Sequence, residues 1–283
     1  MRLTPTILRS LCSKYDLTPS KKYGQNYLIQ DWPVEKMIEA ARINKNDTVI
    51  EVGPGFGVLT FALVERAGKV IAFEIERKLE EYWKEKIEDQ KNRRSEDHSN
   101  IEIIWGNALK ELLSYKVKSY KVVANVPYQI TSELLRTLLE LENKPESITI
   151  MVQKEVAERI CAKPGEMSML AVSVQYYGEP KIVDIVTKGN FWPEPKVDSA
   201  ILNIELAKPR PNPPLGRGGN FFKVVKAGFA QKRKQLHHNL SRGLQIDDLK
   251  IKNILIEVCG NEKVRAEELS VSEWKKIVEK LSM

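Results

Sequence analysis

Asparagine, valine, proline and tyrosine follow one another at 125 to 128, directly after the strand-like run Tyr120-Lys121-Val122-Val123-Ala124. Proline has no N–H for a sheet ladder, so a strand must end near Pro127, leaving Asn125 and Tyr128 off its carboxyl edge. In an open α/β sheet that edge is where ligands bind. The Asn125 amide oxygen and a backbone carbonyl at Val126 or Pro127 are two acceptors suited to the hydrogens of an exocyclic aromatic amine. Such an amine is not basic, because its lone pair is delocalised into the ring; acceptors that hold its hydrogens redirect that pair toward an electrophile. Tyr128 offers a stacking face for a base taken out of a helix. The chemistry so outlined is in-line displacement governed by position and electrostatics, with no histidine or cysteine required. In isolation N-x-P-Y is equally an Asn-capped turn, so its meaning depends on what the neighbouring strands bring beside it.

The preceding strands bring a nucleotide-sized seat. The stretch EVGPGFGVLT at 51 to 60 spaces Gly53, Gly55 and Gly57 as G-x-G-x-G at a strand-to-helix turn, where glycine permits positive φ and lets backbone approach a ligand. A structural turn uses glycine in the same way. The next strand ends in Glu74, roughly 20 residues beyond the loop, where a carboxylate can accept hydrogen bonds from ribose hydroxyls. The dinucleotide spacing G-x-G-x-x-G is not met, since Val58 stands where the third glycine belongs. This disfavours a diphosphate and a dehydrogenase, and favours an uncharged or zwitterionic adenosine compound. S-adenosylmethionine fits, having adenosine, no phosphate, and a sulfonium that makes its methyl group electrophilic. A third strand ends in WGNAL at 105 to 109, which puts Asn107 where it can read an adenine edge, although Gly106-Asn107 is also a good turn dipeptide.

These residues need a sheet to carry them. The pattern predicts strands at 47–52, 69–74, 101–105, 120–125 and 147–153, with helices at 33–42, 57–66, 77–90, 131–142 and 154–162. That alternation predicts an α/β fold with a parallel sheet covered on both faces. Three β-branched runs follow, LAVSVQYY at 170–177, KIVDIV at 181–186 and AILNIEL at 200–206, without room for helical crossovers, so they are expected to end the sheet antiparallel. The polar run at 88–100 reads as a solvated loop, and KPRPNPPLGRGGN at 208–220 as a linker. The expected domains are 1–207 and a small all-helical domain at 221–283, with helical spacing in FFKVVKAGFAQKRKQLHHNL and around 247–258 and 264–281.

Composition narrows the function classes. The chain has 283 residues, 42% of them hydrophobic, enough for a sizeable core, and a net charge of +7 laid over a mixed surface. A polyanionic partner is compatible with that bias, as is a merely basic enzyme. Cys12, Cys161 and Cys259 are odd in number and far apart, which argues against disulfides, zinc and an oxidising compartment. His98, His237 and His238 lack ligand spacing, the last two being adjacent and expected to face different ways on a helix, so no metal is expected. No stretch approaches a membrane span, and the first fifteen residues read as an N-terminal arm.

Several segments, in order along nearly the whole chain, resemble the small-subunit ribosomal RNA adenine N6-dimethyltransferase family. They are KKYGQNYL at 21–28, EVGPGFGVLT, FEIERKL, NVPYQITSELL, MVQKEVAERICAKPGE at 151–166, FWPEPKVDSAIL at 191–202 and FAQKRKQLHHNL at 229–240. The resemblance implies a Rossmann-like class I methyltransferase sheet with a C-terminal helical domain. It implies S-adenosylmethionine contacts at Asn26, Leu28, Gly53, Gly55, Glu74, Asn107 and Asn125, a catalytic motif from Asn125 through Val126 and Pro127 to Tyr128, and Phe191 sandwiching the target adenine opposite Tyr128. The implied substrate is a pair of adjacent adenosines in a hairpin loop near the 3′ end of small-subunit rRNA, each methylated twice within the assembling subunit by a cytoplasmic, monomeric enzyme. Lys232, Arg233 and Lys234 would contact RNA phosphates from a helix whose Phe221, Phe222 and Phe229 pack inward, with Arg136, Lys154 and Arg159 adding to that surface. Three positions depart from the family pattern: Asn107 stands for the usual Asp, Gln129 for Asn, and Phe56 for Leu. Two other readings stay open, a large-subunit rRNA adenine methyltransferase of the drug-resistance type and a non-catalytic nucleic-acid-binding relative.

Overall fold

A computed structural model describes residues 3–19, 25–93, 100–207 and 219–282. The chain divides into two compact units, Met1–Ala157 with Lys181–Leu206, and Glu158–Pro180 with Ala207–Met283. The first carries α1 (Pro5–Lys14), β1 (Tyr27–Leu28), α2 (Trp32–Ala41), β2 (Thr48–Val52), α3 (Val58–Arg66), β3 (Lys69–Glu74), α4 (Glu80–Arg93), β4 (Ile101–Trp105), α5 (Ala108–Ser114), β5 (Lys121–Asn125), α6 (Thr131–Glu140) and β6 (Ser147–Gln153). After α7 (Lys154–Ile160) and α8 (Met169–Tyr177) come β7 (Gly178–Val186), β8 (Phe191–Trp192) and β9 (Ser199–Leu206), then α9 (Gly219–Gly228), α10 (Leu236–Leu244), α11 (Asp248–Cys259) and α12 (Val271–Leu281).

The main sheet has seven strands in the order β4-β3-β2-β5-β6-β9-β7. Strands β2 to β6 pair in parallel. Their central residues, such as Val49, Ile50, Val70, Ile71, Val122 and Val123, are buried, the near-continuous apolar runs of strands covered on both faces. Strand order runs outward from β2 through β3 to β4 on one side and from β5 to β6 on the other. The reversal lies between β2 and β5, and a crevice opens there at the strands' carboxyl ends. Strand β9 runs antiparallel to β6, with Ser199 opposite Gln153, so its first residue lies at the edge where the parallel strands finish. A separate two-stranded ladder pairs β1 with β8, Tyr27 opposite Trp192 and Leu28 opposite Phe191.

The expected α/β class and antiparallel end are present, with one strand misread. LAVSVQYY is not a strand but α8: the Ser168 hydroxyl caps it by accepting from the Ala171 N–H at 3.1 Å. Ala171 and Val172 belong to the apolar core of the second unit, with Phe221, Leu240, Leu255 and Trp274. Tertiary burial thus overrides the β-branched composition. The same packing assigns 158–180 to the helical unit, where the sequence draws one domain through 207. Helices α1 and α5 have no counterpart in the sequence reading. The polar run at 88–100 is helical as far as Arg93, its residues 94–99 lying outside the described ones; of the 208–220 linker, 208–218 lie outside as well and 219–220 begin α9.

In the helical unit, Lys232, Arg233 and Lys234 sit on an exposed turn between α9 and α10, not on a helix. Asn239 holds that turn by donating to the carbonyls of Gly228 and Gln231 at 2.7 and 3.0 Å. Phe221 is buried, and Phe229 stacks on Trp274 with centroids 5.7 Å apart. His237 and His238 do not face apart: their rings lie 3.9 Å from each other, and with Asp248 they form a group of three metal-type ligands. Asp248 already accepts from Lys252 at 2.8 Å and lies 2.6 Å from His237 Nδ1, and these partners hold its carboxyl down at about 2. Among the described residues no helix is long and apolar enough to cross a membrane.

Candidate active site

The cleft at the carboxyl ends of β2, β3, β4 and β5 gathers most of the residues singled out in the sequence. Asn26, Leu28, Gly53, Gly55, Glu74, Asn107, Asn125, Val126, Pro127 and Tyr128 all line it. Its floor is the loop after β2, where Gly53, Gly55 and Gly57 have φ of 75°, 54° and 81°. Side chains there would be strained; a Cβ on Gly57 would also collide with Phe61 at 2.5 Å, and one on Gly55 would press on the Tyr27 ring at 3.0 Å. Helix α4 fixes the loop from beneath, the Tyr82 hydroxyl donating to the Phe56 carbonyl at 2.8 Å and the Trp83 indole N–H to that of Gly55 at 3.1 Å.

Glu74, at the end of β3, is buried and braces the loop from the other side. Its Oε2 accepts from the Gly55 N–H at 3.0 Å and its Oε1 from the Glu76 N–H at 2.8 Å. Burial raises its pKa, and these backbone donors partly offset the rise. An ionised carboxylate has about four acceptor sites, so two bonds leave capacity for a pair of hydroxyls. Beside it Ile75 is half-exposed, an apolar face on the cleft wall.

Glu51, the residue before Val52 and the loop, is a cleft residue that the sequence reading did not mark. Its signal was present: a lone carboxylate inside the apolar strand TVIEV, immediately before a glycine loop. The side chain is fully buried; the Thr60 hydroxyl lies near enough to pull its pKa down slightly without a well-formed hydrogen bond, and Glu51 Oε2 has no partner. Burial, with a smaller contribution from Glu74, pushes its pKa up to about 8 from an ordinary 4.5. The unfolded chain therefore releases this proton near pH 4.5, whereas the folded chain keeps it until about pH 8. Between those values each rise in pH disfavours the folded state. Glu51→Gln should stabilise the free protein by an amount that is negligible near pH 4, grows to about 1–3 kcal/mol at pH 8 and then levels off. Denaturant melts across that range would show a pH-independent difference if Glu51 were ordinary.

At the rim, Asn125 Nδ2 donates to the Asn26 carbonyl at 3.2 Å, which fixes the amide plane and leaves Oδ1 as its acceptor. The Pro127 carbonyl accepts from the Ile130 N–H at 3.1 Å, closing a 3-10 turn over Tyr128–Ile130. The Tyr128 hydroxyl lies 2.7 Å from Ser199 Oγ, and burial raises the phenol pKa, the serine partly offsetting it. Asn107 lines the cleft but caps α5, its Oδ1 accepting from the Leu109 N–H at 3.0 Å. The amide oxygen expected at an adenine edge thus already accepts one backbone hydrogen bond, leaving one further acceptor site and the Nδ2 donors for a ligand. Phe191 stands apart: on β8, opposite Leu28 of β1, it is buried in the core and is not among the lining residues. Lys232, Arg233 and Lys234 belong to the helical unit, outside the lining.

A switch-point cleft with a glycine floor, on a sheet ending in a reversed strand, is the arrangement of class I methyltransferases, and solved structures agree. A dimethyladenosine transferase from Plasmodium falciparum superposes with a TM-score of 0.71 at 26% identity, over 88% of this chain and 95% of that one. The 23S rRNA methyltransferase ErmE gives 0.72 at 25% identity, over 91% and 100%. Within that class the chain belongs to the ribosomal RNA adenine dimethylase family, whose profile matches residues 17–282. Relatives named ribosomal RNA small subunit methyltransferase A are 43% identical in Dehalococcoides mccartyi, over 95% of this chain and 90% of theirs, and 38% identical in Clostridium botulinum, over 95% and 96%.

Proposed function

We propose that this enzyme transfers methyl groups from S-adenosylmethionine to the N6 amines of two adjacent adenosines in a hairpin loop near the 3′ end of small-subunit rRNA. The observation that carries the reading is Asn125, its amide fixed on the Asn26 carbonyl at the rim of a cleft whose floor holds two buried carboxyls, Glu51 and Glu74. Glu51, neutral up to about pH 8 in the free protein, has an unpartnered Oε2, and a ligand bearing sulfonium and ammonium charge would favour its ionised form where a diphosphate would oppose it. When bound, S-adenosylmethionine supplies an electrophilic methyl group. Glu74 would hold the ribose hydroxyls, Ile75 the adenine face, and the arm residues Asn26 and Leu28 would cover the ligand.

Asn125 Oδ1 and the Val126 carbonyl would then accept the two hydrogens of the target amine and turn its lone pair toward the methyl carbon. Val126 is preferred to Pro127 because the Pro127 carbonyl already closes the turn to Ile130. Tyr128 would stack on the extruded base. The basic turn at Lys232–Lys234, and exposed Arg136, Lys154 and Arg159, would meet phosphates. Replacing Lys232, Arg233 and Lys234 together by alanine should weaken RNA binding about 10- to 100-fold and flatten its log–log salt dependence by about 2, without changing cofactor affinity. An unaltered salt slope would remove this turn from the RNA surface.

The testing experiment is transfer of labelled methyl from S-adenosylmethionine to unmethylated small ribosomal subunits, with large subunits in parallel and the product base identified by mass. Dimethyladenosine confined to small-subunit rRNA is the expected result. Labelling of large subunits alone would point to the ErmE-like activity, and no labelling of either, despite cofactor binding, to a non-catalytic relative. The cytoplasm and a monomeric state are the setting proposed with this activity.

A further inference from the structure

We propose that Ser199 is a positioning residue for methyl transfer, acting through the hydroxyl of Tyr128 to fix the plane on which the target base stacks. The inference rests on the function proposed above and extends it to a residue 71 positions further along the chain. Tyr128 opens a single 3-10 turn that has no capping side chain, its backbone held by the Ile130 N–H on the Pro127 carbonyl and the Thr131 N–H on the Tyr128 carbonyl. Nothing in so short a turn dictates the tilt of the ring. The Ser199 hydroxyl supplies that constraint: it lies 2.7 Å from the phenol oxygen, on a residue with no exposed surface. Either oxygen can donate in this pair, so the bond forms without a change of charge.

Ser199 is itself rigidly placed. It begins β9 opposite Gln153, and the residue before it is tied at two points, the Asp198 carbonyl accepting from the Lys154 N–H and its Oδ1 from the Lys188 N–H, both at 3.0 Å. Because β9 runs against the parallel strands, its first residue arrives at the edge where they end, and an aromatic in the turn after β5 can reach past β6 to meet it. A stacked base is aligned for in-line attack only within a narrow range of angles, so a ring free to rock lowers the fraction of productive complexes rather than the affinity.

The test is a double-mutant cycle on methyl transfer to unmethylated small subunits, with S199A, Y128F and the combined variant. Y128F keeps the ring and removes the same hydrogen bond without touching the buried strand, so it reports on the bond even if S199A folds poorly. Each single variant is expected to lose about tenfold in kcat, with KM for S-adenosylmethionine unchanged, and the pair to be no worse than either alone. Undiminished kcat in Y128F, or losses that multiply in the double variant, would overturn the positioning role while leaving the proposed function intact. Absence of transfer by the unaltered enzyme would overturn both.

Discussion

Replacing Asn125 by alanine should lower methyl transfer at least 100-fold, and S-adenosylmethionine binding by tenfold at most. The asymmetry follows from what each half of the amide touches. Nδ2 donates to the Asn26 carbonyl, so its loss loosens the arm over the cofactor by one hydrogen bond of moderate length, 3.2 Å. Oδ1 is the acceptor that would meet the amine only as its lone pair turns, and groups of that kind contribute chiefly to the transition state. Single-turnover transfer and calorimetric titration of the cofactor separate the two. Wild-type turnover in the variant would end the amine-alignment mechanism; loss of both to the same degree would make Asn125 a cofactor ligand first.

Glu74→Ala carries the largest expected effect on binding, a loss of about 100-fold or more in cofactor affinity, together with a loss of stability. The carboxylate accepts from Gly55 and Glu76 before any ligand is present, so truncation leaves two part-buried backbone N–H groups without their acceptors. Each such group costs about 1–3 kcal/mol. Chemical denaturation should register this in the free protein, and titration with S-adenosylmethionine the remainder. Glu74→Gln keeps one acceptor oxygen and is expected to fall between. Affinity that survived in Glu74→Ala would mean that the ribose is held elsewhere.

The parallel half of the sheet is legible because its strands are buried on both faces and therefore read as short apolar runs, each followed by a helical period. The same signal misleads at 170–177, where Ala171 and Val172 are buried by helices from the far end of the chain rather than by neighbouring strands, a fact no local pattern contains. In the site, the glycine loop, Glu74 and the N-V-P-Y turn were readable because each sits within one βα unit. Ser199 was not, although its segment was quoted, because its contact depends on where β9 is inserted in the sheet. Asn107 was read as an adenine contact or a turn residue; it lines the cleft and also caps α5, a role not drawn from the sequence. Phe191 lies outside the cleft lining with its ring buried in the core, so its expected place opposite Tyr128 rests on the resemblance alone.

The peptide groups of the glycine loop have a consequence for what this cleft can refuse. In loops that cradle phosphate, successive backbone N–H groups point at the ligand as a ready-made anion hole. Here the Gly55 N–H is already taken by the protein's own carboxylate, and the Gly53 N–H by the Phe73 carbonyl at 2.9 Å. A Glu74 carboxyl oxygen thus takes up a backbone donor that a phosphate group would need. ATP and dinucleotides, abundant competitors that share the adenosine half of the proposed ligand, would be turned away by the backbone itself before any side chain was consulted.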